Sequence, residues 1–451
     1  MTQTTSALPS VGLLSLGCVR NLVDSEIALG SLIEKGYPYE KEIANSDIAI
    51  VNTCGFTEDA KRESLETIFE LCRKKKEGKI SKVVVMGCLS QRYLSELSAE
   101  IKEADLILGT NSFTELPALL EKLAVSVKPA PESLRGVPTF LPSRLMPKHQ
   151  LTPEYYSYIK INEGCINACA YCAIPSMKGR HRSRTVDDIL QDALRAQEKG
   201  VKEINIIGQD IAAYGMDLFG ELKLDLLLSE LDSALENVWV RLLYAHPAHI
   251  TDSLIKVLAG SKNIIPYIDV PIEHSHPDML RRMNRGCTRE QQDKVLFRLR
   301  KEIPNAILRT AVIVGFPGET PEEHQDLLDY MNLHKFERLG AFAYSHEENT
   351  KSYSMKDQVD EELKKQRLDE VMNLQAEITE SWNLSRVGSS EKMLYEGYDE
   401  DLGHWWGRGV ADAPDVDARI ILQHDPKVNP GTFLDVKIID SDVFDVTAKT
   451  A

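Results

Sequence analysis

Apolar positions in the first quarter of the chain fall into short runs separated by stretches of helical periodicity. VGLLSLG (11–17), IAIVNT (48–53), VVVMG (83–87) and DLILG (105–109) predict strands, and the segments near 21–35, 57–76, 88–102 and 113–123 predict helices. Strands that alternate with helices predict a doubly wound parallel sheet. Residues 125–154 lose this periodicity and carry Pro129, Pro131, Pro138, Pro142, Pro147 and Pro153, the composition of an extended connector.

The alternation then resumes. YSYIKIN, EINIIGQD, VWVRLLYA, YIDVPI, ILRTAVIVGF and LGAFAYSHE predict six further strands, too few for the eight of a closed βα barrel, so an open, partial barrel is expected. From Asp357 to about Ser385 the pattern is one long polar helix, read as a spacer. The tail changes to β-prone runs such as ARIILQ and TFLDVKII, broken by Gly, Pro and Asp, which predicts a small all-β barrel. The expected organisation is α/β: an N-terminal domain over 1–124, a linker over 125–154, a partial barrel with its spacer helix over 155–385, and a β-barrel over 386–451.

With 451 residues, 43% hydrophobic and 27% charged, the composition is that of well-cored globular domains. MTQTTSALPS has no basic segment followed by an apolar one, and no apolar run reaches the roughly 18 residues of a membrane span, so a cytoplasmic protein without a membrane partner is expected. The net charge of -16 argues against a partner held mainly through phosphates. Eight cysteines in such a chain point to metal ligands, reactive thiols or small core residues rather than disulfides.

Their positions discriminate. EGCINACAYCAIPSMKGR places Cys165, Cys169 and Cys172 in a C-x3-C-x2-C loop at the carboxyl end of the first barrel strand, where a βα fold places its chemistry. Three thiolates at this spacing can wrap one face of a four-iron cluster and leave one iron to a small-molecule chelator. Zinc is the plainer alternative, but a structural zinc site takes four N or S ligands, usually from paired C-x2-C knuckles, and this region has no second knuckle. The motif, with Tyr171 before its last cysteine, resembles that of the radical SAM enzymes. The resemblance implies that S-adenosylmethionine (SAM) occupies the open iron, that Tyr171 contacts its adenosine, and that Gly315 in VIVGFPGE (312–319) does so too.

Cys18, Cys54 and Cys88 each follow an apolar strand run directly, in LSLGC, IVNTC and VVVMGC. In a parallel sheet those ends share one edge, which is where open α/β sheets bind ligands. Three buried core thiols are the alternative. Cys72, inside a helical pattern, and Cys287 are assigned packing roles.

Taken together, LSLGCVRNLVDSE, VNTCGF, MGCL, GCINACAYCAIP, GQDIAAYG and the terminal barrel resemble the radical SAM methylthiotransferases over nearly the full length. The resemblance implies two 4Fe-4S clusters, one on Cys165, Cys169 and Cys172 that splits SAM and one on Cys18, Cys54 and Cys88 that presents sulfur methylated by a second SAM. It also implies a TRAM domain at the tail and an electron-donor protein as partner. GQDIAAYG, YSHEENT and GRGVADAPDVDARI are similar to the branch that modifies an aspartate of ribosomal small-subunit protein twelve, rather than the branch that modifies an adenosine of transfer RNA.

The tail agrees with that branch, with seven basic against thirteen acidic residues over 386–451. An acidic face suits a basic ribosomal protein and disfavours RNA. A non-catalytic cluster protein that binds ribosomes is the alternative of another class. In KGRHRSRT (178–185), Lys178, Arg180, Arg182 and Arg184 are candidates for binding the carboxylate of SAM or of a substrate, or else a solvated loop. Trp405 and Trp406 are expected to pack in the small barrel rather than to stack on a base.

Overall fold

β1 (Val11–Ser15), β2 (Ile48–Thr53), β3 (Lys82–Gly87) and β4 (Leu106–Ile107) form a parallel sheet in sequence order, joined by α1 (Val19–Glu34), α2 (Glu58–Lys76) and α3 (Cys88–Glu100) and followed by α4 (Leu116–Ala124). The computed structural model describes residues 8–124 and 136–451. Most of the opening stretch and the first part of the connector, Pro129 and Pro131 included, lie outside the described residues. Tyr39 bridges to Val11, which also pairs with Ile48 in β2, so α1 carries the chain to the far side of β1 before it returns to β2. Winding therefore reverses between β1 and β2. Val23, Ile27 and Leu29 of α1 pack on one face of the sheet, and Ile68, Leu71, Leu89 and Leu94 of α2 and α3 on the other. The crevice at such a reversal is the usual binding place of a doubly wound sheet, and Cys18 and Cys54 flank it.

Six parallel strands form the second sheet: β5 (Tyr156–Lys160), β8 (Glu203–Ile207), β9 (Trp239–Leu242), β10 (Ile264–Asp269), β11 (Ile307–Val314) and β12 (Arg338–Ala343), β5 and β12 lying at its two edges. Between β5 and β8 run the short antiparallel pair β6 (Asn162–Glu163) and β7 (Arg182–Ser183) and helices α5 (Ile174–Lys178) and α6 (Val186–Glu198). The later connections hold α7 (Met216–Phe219), α8 (Leu224–Ala234), α9 (Asp252–Gly260), α10 (Pro277–Arg282), α11 (Arg289–Glu302) and α12 (Pro321–His334). Thr288 and Thr320 each form a reciprocal capping box with the residue three further on, which fixes where α11 and α12 begin.

The polar helix read as a spacer is α13 (Glu361–Arg386), and it covers the barrel. Its Val371 and Ile378 join the barrel core, its Gln375 Nε2 donates to Phe336 O at 2.8 Å, and Arg367 pairs with Glu319 at 2.9 Å. Its buried face is partly polar, which is why the sequence reads as solvated throughout. Covering β12 shields an edge strand that would otherwise present unpaired backbone.

The tail closes into a barrel of β13 (Ser390–Asp399), β14 (His404–Gly409), β15 (Ile420–Leu422), β17 (Val446–Thr450) and β16 (Phe433–Ser441), neighbours in that order. The segment between β14 and β15 enters the partial barrel at the strand-start end, opposite the cysteine loop. Arg241 Nη1 donates to Val410 O at 2.8 Å, Arg338 pairs with Asp412 at 2.6 Å, and Tyr267 Oη donates to Asp417 Oδ2 at 2.6 Å. Asp412 and Asp417, two of the acidic residues counted for a substrate-facing surface, are thus turned inward as partners of barrel arginines. Trp405 packs partly against the small-barrel core and against Tyr398, as expected, whereas Trp406 lies half-buried under the Arg419 guanidinium, 4.4 Å from its ring centre. Cys72 and Cys287 are buried.

Candidate cluster site at the strand ends

Each cysteine of the first trio sits where a strand turns into its following helix or loop. Cys18 is the residue before α1, Cys54 follows β2 directly, and Cys88 is the first residue of α3. Gly17 has a φ of +81°, and a Cβ there would lie 2.6 Å from the Cys54 Cβ, so glycine is what lets the β1 and β2 ends close on each other. Asn21 ties the three ends together. Its Nδ2 donates to Leu16 O at 3.2 Å and Thr53 O at 3.0 Å, and its Oδ1 lies 3.5 Å from Cys88 Sγ. Burial raises the Cys88 thiol to about 12, with Lys178 opposing, and raises Cys54; at the half-buried Cys18, desolvation acts in the same direction, but the Arg20 guanidinium beside it brings the thiol below the ordinary range.

The second trio occupies the loop between β6 and α5. Asn167 N donates to Cys165 Sγ at 3.3 Å and Arg285 Nη1 to Cys169 Sγ at 3.5 Å, while burial pushes the Cys172 thiol up to about 12. Hydrogen bonds of this kind to ligand sulfurs help to set the reduction potential of a bound cluster. Cys88 packs against Ala173, Ile174 and Met177, the residues that follow Cys172, so the two trios face each other across one seam.

Donor chemistry and spacing decide what the trios fit. Thiolates on one tetrahedral zinc lie about 3.8 Å apart, from Zn–S bonds near 2.3 Å. Among the described residues, the group whose ligand atoms all lie within 4.8 Å of one another is His276, Asp278 and Glu323, and neither trio meets that limit. The thiols of neither trio are gathered around one ion, and three thiolates with one position left open are the ligand set of a four-iron cluster that binds a small-molecule chelator. His276 and Glu323 are meanwhile engaged as helix caps, and Glu323 also pairs with Arg282.

The other candidate residues divide. Tyr171 packs edge-on to Phe316, with ring centres 6.5 Å apart, in a small cluster with Met279, Met283 and Tyr344. Gly315 follows β11 with a φ of +71°, its N–H donates to Glu319, and a Cβ there would collide with Lys364 of α13. Of the KGRHRSRT cations, Lys178 is buried against Asp24 at 2.8 Å, Arg182 donates to the carbonyls of Phe140 and Lys178, and Arg184 pairs with Asp188 and Asp192; Arg180 is exposed. The segment is mostly structural, neither a solvated loop nor a row of free cations. His181, buried, lies 3.0 Å from Ser183 Oγ.

Several residues of the site come together through contacts that the sequence does not show. Lys160, Lys178, Asp24 and Glu163 form a buried two-cation, two-anion cluster between α1 and the loop of the second trio. Asp210, two residues beyond Gly208 at the end of β8, accepts from Asn167 at 3.0 Å and pairs with His249 at 2.6 Å. Lys160, Glu163 and Asp210 carry one sequence signal, their position at or just after the ends of barrel strands, where βα folds bind substrates.

The loop after β12 latches the first domain to the barrel. Glu347 pairs with Arg92 of α3 at 2.8 Å and Lys61 of α2 at 3.1 Å, with the Arg92 and Glu347 side chains 3% and 4% exposed. Glu347→Ala leaves a buried guanidinium uncompensated and is expected to cost about 3–5 kcal/mol, read as a lower urea midpoint. Burial alone would raise the Glu347 carboxyl, but bonds from Ser345, Arg92 and Lys61 hold it below its usual value. A carboxyl depressed in the folded state stabilises above the ordinary glutamate value near 4.3. This contribution is expected to be present at neutral pH and lost as the pH falls through that range, and a pH series of urea midpoints that is unchanged by Glu347→Ala would contradict it.

Residues 10–109 match the uncharacterized protein family UPF0004, 159–331 the radical SAM superfamily and 387–450 the TRAM domain. The chain is 42% identical over 441 residues, 98% of its length and 99% of the relative's, to the ribosomal protein uS12 methylthiotransferase RimO of Caldanaerobacter subterraneus subsp. tengcongensis. It is 41% identical to the protein of that name from Clostridioides difficile, with 97% of each chain covered. Among solved structures, the radical S-adenosylmethionine methyltransferase TsrM from Kitasatospora setae aligns with a TM-score of 0.54 at 15% identity, over 74% of this chain and 73% of that one, a likeness of fold. The two cysteine trios, the partial barrel and the terminal β-barrel thus occur together in a chain that matches these relatives from end to end: it belongs to the RimO family of radical SAM methylthiotransferases, which use SAM and two 4Fe-4S clusters.

Proposed function

We propose that this protein replaces a hydrogen on the β-carbon of an aspartate in ribosomal small-subunit protein uS12 with a methylthio group, the substrate named for its relatives. The observation that carries the reading is the convergence of two thiol trios on one seam, Cys88 packed against the residues that follow Cys172. In this reading Cys165, Cys169 and Cys172 hold one cluster, Cys18, Cys54 and Cys88 the other, and Tyr171 and Gly315 border the adenosine. When bound, the clusters and SAM supply the radical, the sulfur and the methyl group. The chain's own residues hold the two sites at a fixed separation through the Lys160, Lys178, Asp24 and Glu163 cluster and the Glu347 latch, and donate hydrogen bonds to the ligand sulfurs.

The division into 1–124, 125–154, 155–385 and 386–451 follows the same logic, one cluster to each of the first two globular parts and substrate contact to the last. The exposed turn with Tyr398, Glu400, Asp401 and Leu402 supports contact with a basic protein. An electron-donor protein and a cytoplasmic location belong to the same reading; no helix among the described residues is long and apolar enough to cross a membrane. A strain lacking the gene is expected to lose the modified aspartate and to keep its methylthioadenosine in transfer RNA, as read by mass analysis of ribosomal proteins and nucleosides. The opposite pattern would assign the protein to the transfer-RNA reaction.

A further inference from the structure

Most cations around the seam between the trios are matched by carboxylates. Lys160 and Lys178 face Asp24 and Glu163, Arg92 faces Glu347, and Arg285 lies 3.7 Å from Glu273. Arg182, held by the carbonyls of Phe140 and Lys178, lacks a carboxylate, and so does Arg20. Among the described residues no carboxylate lies within 4.0 Å of its guanidinium, and Glu163, which acts on it from further away, is already bonded to Lys160. Its Nη1 donates to Gly208 O at 3.0 Å, the guanidinium also bonds the Cys18 thiol beside it, and its Nε is buried with no partner, so a donor is left over.

Its placement is specific. Arg20 is two residues from Cys18, and its Nη1 anchor is the residue after β8, two before Asp210, which accepts from Asn167 in the loop of the second trio. The guanidinium carbon lies 4.3 Å from the centre of the Tyr244 ring. Tyr244 has a φ of +71°, a conformation costly for a side chain of this size. It is held there by its N–H, which donates to Asp269 Oδ2 at 3.0 Å, and by its carbonyl, which accepts from Ile211 N at 3.0 Å. Strain of this kind persists where surrounding structure enforces it, and it clusters at functional sites. Here it sets an aromatic platform under the Arg20 guanidinium.

We propose that Arg20 reads the substrate: its guanidinium, laid on Tyr244 between the two cysteine trios, receives the side-chain carboxylate of the target aspartate and so presents the adjoining β-carbon to both sites. The proposal rests on the function given above and adds to it the residue that recognises the acid. A planar guanidinium forms paired, charge-assisted bonds with a carboxylate, and a site that leaves such a cation without its anion rejects an uncharged analogue. The carbon to be modified is bonded directly to the carboxylate carbon, so fixing one orients the other.

The test uses the full-length, cluster-loaded protein and two peptides that differ in the target residue alone, aspartate or asparagine. The wild type is expected to bind the aspartate peptide at least tenfold more tightly. Arg20→Met, and Arg20→Gln, which keeps a donor for Gly208 and drops the charge, are expected to bind the two equally, and Arg20→Lys to restore part of the preference. Iron content and cluster EPR spectra are recorded for each variant. The proposal is overturned by a wild type that does not discriminate, by a loaded Arg20→Met or Arg20→Gln variant that keeps the preference, or by loss of iron from both variants, which would make Arg20 a residue that maintains the first trio. Failure of the functional reading is a separate outcome: no methylthiolated aspartate from the wild type under turnover, whatever the binding preference.

Discussion

Cys169→Ala is expected to abolish 5'-deoxyadenosine formation from SAM under reducing conditions and to lower bound iron from about eight to about four atoms per chain, as two four-iron clusters become one. The trio of Cys165, Cys169 and Cys172 occupies a single loop, and Arg285 and Asn167 donate to its sulfurs. A three-ligand site already leaves one iron to SAM, and a further missing ligand exposes a second iron. The same substitution leaves the β1, β2 and β3 ends intact, with Asn21 and Gly17 in place, so iron on the first trio is expected to remain. Iron analysis and chromatography of the nucleoside product check this. Full SAM cleavage by Cys169→Ala would remove the assignment of that loop.

The converse substitution separates the two sites. Cys18→Ala is expected to abolish methylthio transfer to the protein substrate while 5'-deoxyadenosine continues to form, because the proposed function assigns SAM cleavage to the other loop. Cys18 caps no N–H of α1 with its side chain, so its removal costs little helix stability, and loss of transfer is the larger effect. Retention of both activities would refute the division of labour between the trios.

The second trio stands out in the sequence because its cysteines are local: three within eight residues after a strand. The first was legible through topology, since three strand-end cysteines in a parallel sheet must share an edge. What escaped was set by tertiary contact. Tyr39 makes the reversal of winding by a single bridge, too short to register as a strand. The face that α13 buries is lined by Lys364, Arg367, Gln375 and Thr379, so its periodicity is hidden. Asp412 and Asp417 read as surface acids until the β14–β15 segment is seen inside the partial barrel. Arg20 reads as one more residue of a helix start; its lack of a carboxylate and the left-handed backbone of Tyr244, 224 positions away, are properties of the folded chain alone.

The measurement that bears most directly on the account is an anaerobic reaction of the cluster-loaded protein with uS12, with unmodified transfer RNA in a parallel vessel and SAM labelled in its methyl group. The account predicts one labelled methylthio group on the β-carbon of a single aspartate of uS12, located by tandem mass spectrometry, and none in the RNA. Labelled methylthioadenosine in the RNA with uS12 unmodified would contradict it.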